Sequence, residues 1–205
     1  MNKWLCGFIA LGITQIALAG NYILKVDGTS YELDIGEEKT IQTKQGAVKV
    51  LIEKKAIATY TIDGVSFEHP SSLSPSVSVL SEEVKQVLLA EANGDSLMIQ
   101  LYKGIDGSVL VPLLENELTK EEVDVGYKKT GKDVEIKLDN GDVLSGRFVK
   151  TEKGGDRYER YIIGCAITTG GIMAVIQTSD LEVEGQNKEG MMKTLKSLKA
   201  NCVKN

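Results

Sequence analysis

Residues 157–178 read RYERYIIGCAITTGGIMAVIQT, two apolar runs separated by a Thr-Gly-Gly turn. Both runs are rich in Ile, Val and Tyr, which are typical of β-strands, and the tight turn predicts a hairpin. The runs at 134–138 and 143–149 flank a second turn, at 139–142, in the same way. Because consecutive strands joined by short turns pair antiparallel, we expect four neighbouring strands of an antiparallel sheet.

A third hairpin and a helix precede these strands. An Asn-Gly pair at 93–94, between apolar runs, favours a hairpin over 86–102, although the spacing at 82–90 also fits a helix. Residues 108–123 have leucines at helical spacing, and Pro112 falls near the start, where its missing N–H costs nothing. The predicted order is therefore hairpin, helix and four strands.

The C-terminal segment 187–202 predicts an amphipathic helix packed on the sheet. Its apolar residues recur at steps of four, three and four and form one stripe, whereas its lysines lie off that stripe. The lysines complement the dipole at the helix end, so we interpret them as a solvated face rather than a membrane or nucleic-acid patch. The stripe consists of Met191, Leu195, Leu198 and Cys202.

The N-terminal part of the chain alternates apolar and polar residues, which predicts β-hairpins. Asp27-Gly28 and Asp63-Gly64 supply the positive φ angles that tight hairpin turns need. A Pro/Ser-rich loop then predicts a boundary. We therefore expect a β-hairpin extension over 20–69 and, over 70–205, an α+β domain whose mostly antiparallel sheet is covered by two main helices.

The segment 1–19 has the features of a cleavable secretory signal peptide. Lys3 provides a positive charge, an apolar run follows, and Ala17-Leu18-Ala19 has the small-x-small pattern that signal peptidase recognises. The run is shorter than the roughly 20 residues that a membrane-spanning helix needs, although an uncleaved anchor stays an alternative. We predict cleavage between Ala19 and Gly20, and a periplasmic or secreted protein without stable membrane insertion.

Two cysteines follow the predicted cleavage site, and an even pair favours a disulfide in an oxidising compartment. Cys165 shares one face of its strand with Ile163 and Ile167, and Cys202 ends the apolar stripe of the terminal helix. We therefore predict a Cys165–Cys202 disulfide, which would stabilise the fold by about 4 kcal/mol on the chain-entropy model. Two buried free thiols are the alternative.

No residue pattern predicts a catalytic, cofactor-binding or metal site. His69 is the single histidine and lies beside a proline, so a surface or loop-anchoring role is expected for it. The acidic group Glu121, Glu122 and Asp124 is best explained as an exposed helix end. A net charge of −5 argues against nucleic acid as a partner, because phosphates require a basic face. A non-enzymatic protein is therefore favoured over an enzyme.

Gly64, Phe67 and Pro70 form a G-x-x-F-x-x-P motif, and Ser197-Leu198 stands near the end of the predicted C-terminal helix. Through these residues the span 57–199 resembles the PsbP-like superfamily. Members of that superfamily open with a short strand into this motif and close with a helix that contains Ser-Leu. The resemblance implies an antiparallel sheet covered by helices, in a group that works mainly by binding other proteins. It carries over no functional residue.

These observations favour a non-enzymatic exported protein that binds a partner protein in the envelope, of an immunity or chaperone kind. The alternative is a small-molecule or lipid binder with a pocket between sheet and helix. In that pocket Met191 and Met192 would line a pliable wall. No cofactor is expected for either function.

Overall fold

The structure is a computed structural model that describes residues 22–179 and 186–203. The predicted signal peptide and its cleavage site lie outside the described residues. The chain divides after Lys54 into two compact units. The second unit therefore includes residues 55–69, which the sequence analysis assigned to the N-terminal extension.

The described part of the first unit consists of two hairpins. β1 (Tyr22–Val26) pairs with β2 (Thr29–Leu33), and β3 (Glu38–Thr43) pairs with β4 (Gly46–Leu51). The Asp27-Gly28 turn between β1 and β2 has φ angles of 52° and 87°. These positive angles are the ones that a tight hairpin turn requires, and the hairpin predicted there is confirmed.

The second unit begins with a hairpin of β5 (Ile57–Ile62) and β6 (Val65–Pro70). Its Asp63-Gly64 turn has φ angles of 48° and 81°, again as predicted. His69 lies in β6 and not in a loop, because the pairing of β6 with β5 extends to Pro70.

A seven-stranded sheet follows, in which every neighbouring pair is antiparallel. All three hairpins predicted for this region are confirmed, and the segment 82–90 is largely strand rather than helix. Across the sheet, the strands are β10 (Lys128–Lys137), β11 (Val143–Lys153), β12 (Asp156–Ile167), β13 (Gly170–Ser179), β9 (Ser96–Lys103), β8 (Val84–Ala90) and β7 (Ser76–Val79).

Two α-helices complete the described part of the second unit. α1 (Val111–Asp124) follows a 3₁₀ turn at Gly107–Leu110, and Pro112 lies in its first turn, as predicted. α2 (Gln186–Lys196) ends well before Cys202, so the predicted helix is too long. Within the described ranges, neither helix has the length and apolar character needed to cross a membrane.

The segment after α2 is extended and pairs with β6. The Lys199 N–H donates to the Ser66 oxygen at 2.8 Å, and the Ser197 Oγ accepts the Glu68 N–H at 2.8 Å. The Lys199 bond takes the place of a further helical hydrogen bond, so α2 is shorter than predicted. Both bonds bring together the two segments on which the family resemblance is based.

The sheet has an apolar core on each face, because alternate residues of a strand point to opposite sides. The larger core contains Ile163 of β12, and residues of α2 and of the β5–β6 hairpin pack there. The smaller core contains Ile162 of the same strand and lies beneath α1. Its other buried residues are Val111, Val149, Met173 and Val175.

The prediction of a sheet covered by two main helices is wrong. The described chain is mostly β, and its two helices lie on opposite faces of the sheet. A helix is about 10 Å wide and strands are spaced by about 4.8 Å, so one helix covers about two strands. Seven strands therefore leave part of each face to other elements, such as the β5–β6 hairpin.

Candidate functional site

The two cysteines that the sequence analysis paired lie together. Cys165 is in β12, Cys202 is in the extended segment after α2, and their sulfur atoms are 2.11 Å apart, a disulfide distance. The same segment joins the sheet, because the Val203 N–H donates to the Ala166 oxygen at 2.9 Å. The Asp142 carboxylate accepts the Cys202 N–H at 3.0 Å. This region holds the C-terminal segment in place.

His69 is buried, with 5% of its surface exposed, and contacts the Phe67 ring. Its Nδ1 lies 2.9 Å from the Pro70 oxygen, and because a carbonyl can only accept, Nδ1 is the donor. The expected surface or loop role is therefore replaced by packing within β6. In the described part of the chain, no group of three or more His, Cys, Asp and Glu residues could hold a metal ion.

One member of the predicted acidic group is not an exposed residue. Glu122 reaches from α1 to Arg160 of β12, and its two oxygens lie 2.8 and 2.5 Å from two guanidinium nitrogens. Thr151 donates to the same carboxylate at 2.5 Å. Burial raises the pKa of Glu122. The hydrogen bonds from Arg160 and Thr151, together with the Arg160 charge, lower the pKa by more than burial raises it, so the pKa lies below its ordinary value.

Arg160 could have been recognised from the sequence. It stands two residues from Ile162 in a strand, and residues two apart share a face, so its side chain points toward the smaller core. A guanidinium with 4% exposure requires an anionic partner there. The acidic group at the end of α1 was the available source of that anionic partner. This ion pair attaches the helix to the sheet.

One part of the α1 face of the sheet, formed by β7, β8 and β9, lies beside the helix. α1 contacts β10, β11 and β12 most closely, and its leucines share the smaller core with Met98 and Tyr102 of β9. The side chains there are mostly half-buried, and those of Ser76 and Ser78 in β7 are exposed. We call this surface the open face, and it consists of Gln86, Leu88, Met98, Gln100 and Tyr102.

A polar row crosses the open face. The Tyr102 hydroxyl donates to the Gln100 Oε1 at 2.5 Å, and the Gln100 Nε2 donates to the Gln86 Oε1 at 2.9 Å. Burial raises the pKa of Tyr102, so its hydroxyl stays protonated and remains a donor at neutral pH. The row therefore fixes the orientation of these three side chains.

An apolar strip runs beside this polar row. Met98 pairs with Leu88 across the β8–β9 ladder, so the two side chains lie on the same face. Leu114 and Leu118 of α1 pack with Met98 around the smaller core and form a wall along the strip. The open face thus combines apolar contact area with fixed hydrogen-bonding groups, the composition typical of a protein interface.

No protein-family model matches this chain, and no curated protein matches it. The resemblance to the PsbP-like superfamily therefore stays a prediction.

Proposed function

We propose that this chain is an exported, non-enzymatic protein that binds a partner protein, and that the open face is its binding surface. The observation that carries the proposal is the sheet area over β8 and β9 beside α1, where Leu88, Met98 and Tyr102 keep part of their surface exposed. A sheet face with apolar side chains normally lies against another element. Here the partner would supply that element.

The side chains of the open face suit a protein partner better than a small ligand. Met98 and Tyr102 belong to the residue types enriched in protein interfaces. The surface extends along two strands beside α1, whereas small ligands are held in enclosed pockets that bury most of their surface. The immunity or chaperone role expected from the sequence would use this surface.

The proposed compartment follows from two separate features. The segment 1–19 has the pattern of a signal peptide, and the Cys165–Cys202 sulfur atoms lie at bonding distance. Disulfides persist in oxidising compartments such as the periplasm. A partner would accordingly be another protein of the envelope or a protein delivered into it.

A small-molecule or lipid binder stays the alternative function. Its predicted pocket lay between α2 and the sheet, with Met191 and Met192 in the wall. Met191 is 1% exposed and belongs to the larger core, which Met192 packs against. The space between α2 and the sheet is filled at this position, and this favours the partner-protein proposal.

Site-specific photo-crosslinking in intact cells of the source organism tests the proposal. A photoreactive amino acid at Leu88, on the open face, is expected to yield a discrete heavier adduct with another protein. The matched control places the same amino acid at Lys120, an exposed residue of α1 that lies off the open face. Loss of the Leu88 adduct in a Met98→Lys background would support the surface assignment.

The outcome against the proposal is equally specific. If Leu88 and Lys120 yield the same adducts, or if Leu88 yields none while the variant is folded, the open face is not the binding surface. Circular dichroism of each variant shows whether it is folded.

A further inference from the structure

Strand β7 forms one edge of the sheet, and part of its backbone points away from β8. The Leu80 N–H donates to the Val84 oxygen at 2.9 Å, which makes this pair a hydrogen-bonded one. Because hydrogen-bonded and non-hydrogen-bonded pairs alternate along an antiparallel ladder, Ser78 and Ser76 also bond to β8. The N–H and C=O groups of Val77 and Val79 therefore point outward.

The two edges of the sheet differ in how they are protected. Natural proteins block edge strands with charges, especially lysine, or with proline. β10, at the opposite edge, follows this rule with its lysines. β7 contains neither charge nor proline, and Val77 and Val79 are 44% and 69% exposed. The lysines of β10 are Lys128, Lys129, Lys132 and Lys137.

We infer that β7 pairs antiparallel with β7 of a second copy of this chain, with a two-fold axis at Ser78. In this register Val77 lies opposite Val79 of the second copy, and the two residues exchange their outward hydrogen bonds. The valine side chains of both strands then meet on one face of the sheet. Strand addition at an exposed edge is an established mode of protein association.

The sequence of β7 favours a second copy over an unrelated strand. The two residues whose backbone groups point outward flank Ser78 symmetrically, so the strand is complementary to itself. Charge is compatible as well. The nearest acidic residues, Glu82 and Glu83, lie in the turn between β7 and β8, outside the strand that would pair, so no like charges meet within the pair.

The dimer would have a consequence for the open face. A two-fold axis perpendicular to the sheet places the same face of both copies on the same side. The open faces of both copies would then continue across the β7 pair as one surface, bordered on both sides by α1. The inference about β7 does not depend on the proposed function, because it concerns the purified protein alone.

Cysteine substitution at the axis tests the geometry directly. Ser78 of both copies would form a non-hydrogen-bonded pair with Cα atoms about 4.5 Å apart, within the range of a disulfide. Ser78→Cys is expected to form a covalent dimer on mild oxidation. The matched control, Ser76→Cys, would lie about 13 Å from its counterpart along the strand and is expected to stay uncrosslinked.

Analytical ultracentrifugation of the purified protein, from micromolar to millimolar concentration, gives the second test. The unmodified chain is expected to double its mass as concentration rises. Val79→Pro removes an outward N–H that β8 does not use, so the mass should stay that of the monomer with unchanged thermal unfolding. Val79→Thr keeps that N–H and should still dimerise.

Three results would overturn the inference. The first is a monomer at every concentration, and the second is a dimer that Val79→Pro leaves intact. The third is crosslinking of Ser76→Cys as readily as Ser78→Cys, which would show another register. None of these results bears on the Leu88 adduct, so the two proposals fail separately.

Discussion

Gly171 of β13 lies against the backbone of Gly107, so closely that a Cβ on Gly171 would fall 2.0 Å from the Gly107 nitrogen. A Cβ on Gly107 would in turn fall 2.0 Å from the Ile172 oxygen. The connection from β9 to α1 therefore crosses the sheet with its backbone in direct contact with the backbone of β13. Glycine at these positions fixes the height at which α1 begins above the sheet.

Replacing Gly171 with alanine should destabilise the fold strongly. The atoms in the way belong to the backbone of residues 105–107, so relief requires the whole connection to move. Overpacking of this kind costs about 3 kcal/mol. Urea denaturation should show the loss as a lower unfolding midpoint.

Gly190→Ala is the matched control for Gly171→Ala. Gly190 lies in α2, and a Cβ there would meet nothing within 4 Å. Because alanine is the better helix former, this variant should gain up to about 1 kcal/mol. If both variants unfold at the same denaturant concentration, the close approach at Gly107 is not as the structure describes it.

The Glu122–Arg160 pair should contribute substantially to stability at neutral pH. Arg160→Met leaves the half-buried Glu122 carboxylate without its main donor. Loss of one partner from a buried ion pair costs about 3 kcal/mol. Glu121→Gln, at the exposed neighbouring position, should change the free energy of unfolding little, and a large effect of that control would contradict the assignment.

The stability from this pair should also depend on pH. The pKa of Glu122 in the folded state lies below its ordinary value of 4.5, because donors and the charge of Arg160 outweigh burial. The contribution is therefore complete above the unfolded pKa and is lost as pH falls through the lower, folded pKa. Urea denaturation from pH 7 downward measures it, and Glu122→Gln should remove this part of the pH dependence.

Local patterns predicted the hairpins well. The two Asp-Gly turns and the Asn-Gly pair at 93–94 mark positions where the backbone conformation depends on two or three residues. Alternation over 157–178 likewise depends on a short stretch, and it placed Cys165 on the buried face. These features were therefore accessible from the sequence alone.

Features set by distant contacts were not predicted. The end of α2 depends on the pairing of Lys199 with Ser66, which no local pattern records. How much of the sheet the helices cover depends on the number of strands that join one sheet. The open face was not predictable from the sequence, because Gln86 and Gln100 lie side by side only through the β8–β9 register.

If the protein is exported as proposed, the Cys165–Cys202 pair should be oxidised and should stabilise it. With a sequence separation of 37, the chain-entropy model gives about 4 kcal/mol. Thiol labelling of the denatured, unreduced protein should leave both cysteines unlabelled. Cys202→Ala should lower the melting temperature to the value of the reduced native protein. The control is Asn201→Gly at an exposed position, where glycine adopts the positive φ angle readily, and this variant should leave the melting temperature unchanged. Two labelled cysteines would mean that the sulfurs lie close without a bond, and the stabilisation would then have to come from packing alone.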